Sequence, residues 1–504
     1  MTKDAVSRVR DAFVAAGWTV DGVLDLLGAA GWAALGRDER VPAAHALRQD
    51  ADAAATPAGL LTRLFLLREP VPQAEVAAAL PWTPMHGLGL VDLHGDQAVA
   101  ALDVRPYGET DVDWYVVSDL DDRRLRPDHV LGVGGASLTL AGLVPRLPRR
   151  TAVDLGTGCG VQALHLSRHV EHVVATDTNA RALALADLGW RLSGLDPARV
   201  SWREGSLLGP VAGERVDLLV SNPPFVVSPA HRFTYRDAGL RGDELGRMLV
   251  ERAPEHLADD GWCVLLANWL HQRGRDWRER VAAWAEPALA QGCDVWVAER
   301  EALDVARYAS TWLTDAGDHL APDYAARFDG WLGSFDEDGV EAVGMGWVVL
   351  HRSGRESPTL RVDDVSAAPR RPDGDEVVAR LAAAARADDL DAVALLATPL
   401  RLSPGAILDY AELVGEPGTS PVELPSRVRL AADAGGWAEP VVLDATALAL
   451  VRGCDGTRPV SRVVAEVAAA TGADEDDVAV LALHVLRRLV DGALAVPSPA
   501  PASG

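Results

Sequence analysis

From Thr151 onward the chain alternates between two hydrophobic rhythms. Short apolar runs begin at Thr151 (TAVDL), His172 (HVVATD), Val200 (VSWREG), Val216 (VDLLVSN), Gly261 (GWCVLLAN), Cys293 (CDVWVAE) and Gly344 (GMGWVVLHR), and helix-like segments separate most of them. Strands in such succession pair in parallel only through crossover connections, which the helices supply. The pattern predicts a seven-stranded, mostly parallel, doubly wound (Rossmann-like) α/β domain over residues 125–352. Between the last two runs, a longer stretch at about 302–342 carries Trp312 and Trp331 and is expected to be a helical insertion.

The flanks read differently. Residues 1–124 suggest mostly short helices, with Leu60–Pro81 forming two helices joined at the Glu69-Pro70 turn. Strand-like runs at Gly87–Asp92 and Gln97–Leu102 follow, split by His94-Gly95-Asp96 as a hairpin turn. Helices followed by a small hairpin predict a winged-helix-like module. It has no clear basic recognition helix, so stable non-specific DNA binding is not expected. Residues 353–375 are rich in Pro, Gly, Ser and charge and read as a linker. Residues 376–496 then read as an α/β segment and a second winged-helix-like module, with Gly472 ending one helix and Asp474 capping the next. The final residues, 497–504, read as a disordered tail.

A length of 504 residues exceeds one ordinary core, in keeping with several domains. The formal net charge of −25 works against bulk nucleic acid and anionic membranes, since neither would release counterions on meeting such a surface. Four scattered cysteines without a CxxC pair argue against disulfides and zinc, and no metal ligand set is expected. No apolar run reaches the roughly 18 residues of a membrane span, so a cytoplasmic protein is expected.

Candidate chemistry concentrates at three strand ends. Val153-Asp154-Leu155-Gly156-Thr157-Gly158-Cys159-Gly160 stands where a strand gives way to a helix. Its glycines permit a turn and a backbone approach that side chains would block, and the helix N-terminus favours an anionic group. The spacing is GxGxG, tighter than the dinucleotide GxGxxG. Asp154 just ahead of it can meet an ammonium group, so the loop favours an amino-acid-bearing nucleoside over a pyrophosphate. A second strand ends at Asp177, about 20 residues on, where an acid accepts ribose hydroxyls; Thr178 and Asn179 follow as loop and cap.

The third strand runs into Ser221-Asn222-Pro223-Pro224-Phe225. Proline cannot continue a ladder, so the strand stops at the edge where α/β sheets bind ligands. There the Asn222 side-chain carbonyl and the Pro223 backbone carbonyl can accept both hydrogens of an NH₂ group, turning the nitrogen lone pair toward an electrophile. Phe225 offers a flat face for a planar amide or base.

Together, DLGTGCG, Asp177 and NPPF resemble the class I methyltransferases of the Asn-Pro-Pro-aromatic type that use S-adenosylmethionine (SAM). These include release-factor glutamine methyltransferases and the enzymes that methylate exocyclic amino groups of RNA and DNA. The similarity spans about Leu125 to Arg352. It takes in Arg126-Pro127-Asp128 and Gly134-Gly135-Ala136-Ser137, which sit where relatives cover SAM, and Asp237 to Asp243, which looks like a loop of the glutamine-methylating branch. At Gly205-Ser206 many relatives carry an acid that reaches the adenine; Ser206 would be a weaker substitute.

The resemblance implies SAM as cofactor, held by Asp154, Gly156, Thr157, Gly158, Gly160, Asp177, Thr178, Ser206 and Asn222. Asn222, Pro223 and Phe225 would carry catalysis by alignment, with no general base required. It implies N-methylation of a macromolecule, a protein glutamine or an RNA base. The alternative is a small-molecule methyltransferase whose flanking domains dimerise; a non-catalytic module retaining the fold is a third reading. His165, His169 and His172 read as a solvated helix end. Arg123, Arg124, Arg126, Arg149, Arg150, His231, Arg232, Arg236 and Arg241 read as charged surface. Trp262, Trp269, Trp277 and Trp284 read as core. No GxSxG is present, and no cysteine has a recognisable histidine partner, so hydrolase chemistry has no support. The oligomeric state is not legible.

Overall fold

The structure, a computed structural model, describes residues 3–109, 111–120, 128–229, 242–368, 370–404, 406–409, 412–413, 422–423, 426–430 and 441–498. Eight strands form the central sheet: β1 (Arg149–Leu155), β2 (Val170–Asp177), β3 (Val200–Glu204), β4 (Val216–Ser221), β5 (Leu257–Gln272), β6 (Asp294–Asp304), β7 (Val340–His351) and β8 (Leu360–Asp364). Their order across the sheet is β8-β6-β7-β5-β4-β1-β2-β3. Strand β1 lies between β2 and β4 and pairs in parallel with both. The pairs β2–β3 and β6–β8 are also parallel, whereas β7 runs antiparallel to both β5 and β6. This is the mainly parallel sheet that alternating apolar runs and helices imply.

The eighth strand departs from the sequence expectation, because β8 falls inside the stretch read as a linker. The misreading has a physical origin. The strand LRVDD carries charge on three of its five positions, and its partners are far away in sequence. Arg361 is fixed by Asp388 and Asp491 at 2.8 and 2.6 Å, and Trp296 Nε1 donates to Asp363 at 2.9 Å. Ion pairs from distant helices here do what apolar burial does for the other strands.

The chain divides into two compact units. One comprises Met1–Ala141, Leu147–Leu245 and Trp312–Arg327; the other comprises Gly142–Arg146, Gly246–Thr311 and Phe328–Gly504. In the first, Phe13, Trp18, Phe65 and Tyr115 form a buried aromatic cluster with ring separations of 5.0 to 6.3 Å. Helix Pro57–Leu61 continues into a π-helical turn at Thr62–Leu66, which places the Thr62 hydroxyl 3.2 Å from Trp18 Nε1. Strands Val91–His94 and Gln97–Ala100 pair around Gly95, whose φ of 66° supplies the tight turn. Residues Gly87–Leu90, read as strand, instead end a helix and turn out of it.

A second hairpin, Asp103–Glu109 with Val112–Ser118, has no counterpart in the sequence reading. It lies against helix Ala180–Leu192, so closely that a Cβ on Gly189 would stand 2.9 Å from the Tyr115 carbonyl oxygen. The same hairpin overturns the solvated reading of the histidines. His165 is buried against Tyr107 and Trp114, with Nε2 2.6 Å from the Tyr107 hydroxyl. His172 Nε2 lies 2.8 Å from Ser201 Oγ, across the β2–β3 pair.

In the second unit, Trp262, Trp269, Trp277 and Trp284 are all buried. Glu299, on β6, is buried too and holds both Trp269 Nε1 at 2.7 Å and His271 Nε2 at 2.6 Å. Strand β7 must pass this group at close range, which Gly344 allows. The insertion contributes helices Val305–Asp315 and Tyr324–Glu337, joined in this unit by the buried cluster Tyr308, Trp331 and Phe335. Beyond β8, helix Gly374–Asp389 opens with a capping box of Asp373 and Glu376. Helices Ala445–Gly453, Val460–Thr471 and Glu475–Asp491 surround a three-stranded sheet of Pro399–Leu402, Asp455–Pro459 and Ala495–Pro497. Gly472 ends one helix at φ 70°, and Asp474 accepts N–H bonds at the start of the next. Among the described residues no single helix is long and apolar enough to cross a membrane.

A Cβ at residue 344 would lie 2.2 Å from Glu299 Oε2 and 2.3 Å from Trp269 Nε1. Gly344→Ala is therefore expected to lower stability by about 1–3 kcal/mol, the usual range for overpacking. Gly330→Ala, on an exposed helix face with open space around its Cβ, should raise it by ~0.5–1 kcal/mol. Urea unfolding of the two variants checks both signs.

Candidate functional site

The site is built by register. Leu155 of β1 pairs with Ser221 of β4 on one side and Thr176 of β2 on the other, and Thr176 pairs with Arg203 of β3. One residue further along each strand stand Gly156, Asn222, Asp177 and Glu204, in a row along the carboxyl edge. Neighbouring strands are about 4.8 Å apart, so these groups share one small area. Strand β1 is also where the chain order reverses, the usual ligand crevice of an open parallel sheet. The buried Ser221 hydroxyl donates to the Leu155 carbonyl at 2.9 Å and ties the two strand ends together.

The glycine loop folds as its sequence requires. Gly156, Gly158 and Gly160 take φ values of 75°, 54° and 82°, all in the left-handed region. A Cβ on Gly156 or Gly158 would meet nothing within 4 Å, so these positions face open space. A Cβ on Gly160 would lie 2.9 Å from Ala186 Cβ, so this glycine serves close packing. The amides of Gly156 and Thr157 donate to the Thr176 carbonyl at 2.9 and 2.8 Å.

Asp154 is buried beneath the loop. Its Oδ2 accepts the Thr157 hydroxyl at 2.5 Å and the Ala163 amide at 3.1 Å, fastening the turn to the helix Val161–Leu166. Burial pushes this carboxyl up to about 7, opposed by its bonds to Thr157 and Ala163 and aided by the negative charge of Asp177. Asp177 is raised above its ordinary range by burial as well, against the amides that it accepts. Its two oxygens take the Gly158 amide and the Asn179 amide, each at 2.9 Å. Thr178 is exposed beside it. Ser206 is exposed just beyond β3, where the Gly205 amide donates to the Asp177 carbonyl at 2.9 Å.

Asn222 is partly buried, and its Oδ1 is a buried acceptor with no hydrogen-bond partner among the described residues. Pro223 is buried, and Pro224 and Phe225 are partly exposed. The Phe225 ring meets Trp312 edge to face, at 6.4 Å and 70°. Placing the insertion residue Trp312 beside NPPF was beyond the sequence reading, because 87 residues separate the rings; the signal was an aromatic in a helix of uncertain packing. Of the segments expected over the cofactor, Gly135–Leu143 is a helix, and its Ser137 carbonyl accepts Gln162 Nε2 at 2.8 Å. Asn179, read as a cap, also donates from Nδ2 to the Asp128 carbonyl at 2.9 Å. Arg123, Arg124, Arg126 and Pro127 lie outside the described residues, as do His231, Arg232, Arg236 and Asp237–Arg241.

The raised Asp154 carboxyl yields a signed expectation. Its ordinary value is 3.8 and its folded value about 7. Between these the folded chain binds the extra proton, so this group's contribution to stability is complete below about pH 4 and lost as pH rises through about 7. Asp154→Asn should remove up to ~1.4 kcal/mol of stability loss per pH unit in that window. Denaturant unfolding at pH 5 and pH 8 tests it; parallel pH profiles for the two proteins would refute it.

Two families match parts of the chain. Residues 133–279 match the methyltransferase small domain, and residues 15–102 match a domain of unknown function (DUF7059). A release factor glutamine methyltransferase of Xylella fastidiosa is 37% identical over 132 residues, covering 24% of this chain and 47% of that protein. A ribosomal protein uL3 glutamine methyltransferase of Bradyrhizobium diazoefficiens is 30% identical over 163 residues, 29% of this chain and 50% of the relative. A ribosomal RNA small subunit methyltransferase C of Alcanivorax borkumensis is 32% identical over 116 residues, 23% of this chain and 31% of the relative. The chain thus spans about half the length of the first two and less of the third. The glycine loop, Asp177 and NPPF all fall inside the segment that matches the methyltransferase small domain, residues 133–279.

Proposed function

We propose that this chain is a SAM-dependent N-methyltransferase that acts on the amide nitrogen of a protein glutamine or the exocyclic amino group of an RNA base. The observation that carries the reading is the buried, unpartnered Asn222 Oδ1 at the end of β4. A buried acceptor left without a donor costs ~1–3 kcal/mol, a cost that an incoming N–H offsets. The relatives, two glutamine methyltransferases and one ribosomal RNA methyltransferase, support a macromolecular acceptor.

The residues present fit the cofactor. Asp177 would take the ribose hydroxyls, Gly156 and Gly158 leave room for close backbone approach, Asp154 would hold the loop from beneath, and Thr178 and Ser206 would border the nucleoside. Bound there, SAM supplies an electrophilic methyl group. The chain's own part is alignment: Asn222 Oδ1 and the Pro223 carbonyl would accept the two N–H hydrogens, which orients the lone pair and stabilises the positive charge growing on nitrogen until the methylated nitrogen releases one proton to water. Phe225 gives the planar amide or base a face to lie on, with Trp312 against the ring.

Asn222→Ala is expected to cut kcat by about 10²–10³ while changing SAM affinity little. Asp177→Ala should do the reverse, weakening SAM binding ~10-fold or more through loss of charged hydrogen bonds. Calorimetric titration with SAM, alongside methyl transfer into an extract lacking this gene, separates the two. Equal losses in both variants would overturn the division of roles. Label that resists protease and ribonuclease and passes a small-pore filter would overturn the macromolecular acceptor.

A further inference from the structure

A second site lies in the unit that comprises β5 to β8, in a cleft of about 720 Å³. Arg300, Arg307, Arg370 and Arg371 all line it. In a chain of net charge −25, whose sole lysine is Lys3, four guanidinium groups on one concavity call for a ligand. Such a volume falls in the usual range for a small-molecule site.

How these arginines are held narrows the chemistry. Arg370 is clamped by Glu376 through two bonds of 2.7 and 2.6 Å, so its charge is locally answered. Arg307 reaches Glu301 only at 3.8 Å. The Arg300 side chain makes no hydrogen bond or ion pair with the described residues, although it stands between two glutamates. The reason lies in the backbone. Along β6, Glu299 pairs with Gly346 and Glu301 with Met345, so Arg300 is the extra residue of a β-bulge. Bulges redirect a side chain out of the strand's alternation; here Glu299 and Arg300 both line the cleft, with the Glu299 carboxylate engaged by Trp269 and His271. The Arg371 guanidinium is held below its ordinary range, first by burial and then by the like charge of Arg300. Arg300 and Arg371 line the same cleft, where an anion would face both cations. Three acids line the cleft as well: Glu299 is engaged by Trp269 and His271, Glu301 faces Arg307 at 3.8 Å, and the Asp364 carboxylate accepts the Ser366 amide at 3.0 Å and faces Arg278 at 4.0 Å.

We propose that this cleft binds a phosphate-bearing ligand, with Arg300 and Arg371 as its principal cationic contacts. Guanidinium groups present paired N–H donors that match phosphate oxygens, which favours phosphate over a simple halide. The site is separate from the glycine loop and Asn222, and it stands whether or not methyl transfer is the activity.

The full chain is titrated calorimetrically with two probes, inorganic pyrophosphate and a twelve-nucleotide single-stranded RNA, at low and moderate salt. Binding of pyrophosphate supports a compact phosphate ligand; binding of RNA alone supports a phosphodiester strand. In either case Arg300→Glu should weaken binding at least 10-fold, and Arg300→Lys should restore part of it. Arg300 is exposed and bears no structural bond, so the variants should fold, which circular dichroism checks. Failure of both probes to bind, or equal binding by wild type and Arg300→Glu, overturns the proposal.

Discussion

The constraint on which the site depends is the register of β1 between β2 and β4. Parallel pairing aligns Leu155 with both Thr176 and Ser221, and the alignment alone brings Gly156, Asp177 and Asn222 to one edge from positions up to 66 residues apart. A slip of one residue would point every side chain to the other face of the sheet. The alignment is therefore defended twice: by apolar burial along β1, β2 and β4, and by the buried Ser221 hydroxyl on the Leu155 carbonyl. Asp154 adds a third tie, joining the loop to the helix after it.

This explains why the site was so readable from sequence. Each of its parts is a local backbone requirement written in residue type. Three glycines at positive φ allow a turn that other residues resist, two prolines end a strand, and acids close the strand ends. The strands that carry them are buried runs of Val, Leu and Ala, and their helix-separated spacing imposes parallel pairing. No long-range knowledge is needed, so loop, acid and NPPF could be put together before any coordinates.

What escaped the sequence was fixed by distant partners. Hairpin Asp103–Glu109 with Val112–Ser118 holds Pro106 and Gly108, residues that weaken a strand reading, and its stability comes from Gly189, Ser193 and His165 far along the chain. The histidines read as solvated because the run HLSRHVEH is polar; the hairpin buries His165, and His172 meets Ser201 on β3. Strand β8 looked like a linker because its charges pair with Asp388 and Asp491, and no local pattern announces such pairing. Trp312 likewise reaches Phe225 only through tertiary structure.

Asn222 and Asp154 show two ways in which the fold carries an unfavourable group at a productive place. Asp154 is buried but satisfied on one oxygen, so its cost appears as a raised proton affinity and its benefit as a fixed loop. Asn222 Oδ1 is buried and unsatisfied, so its cost waits for a donor. An amide or amino nitrogen brings two N–H groups to meet carbonyl acceptors, whereas a hydroxyl acceptor would need a base to take its only proton. The proposed acceptor nitrogen would meet these acceptors beside a short turn, while Asp154 and Asp177 are engaged by backbone amides and the Thr157 hydroxyl.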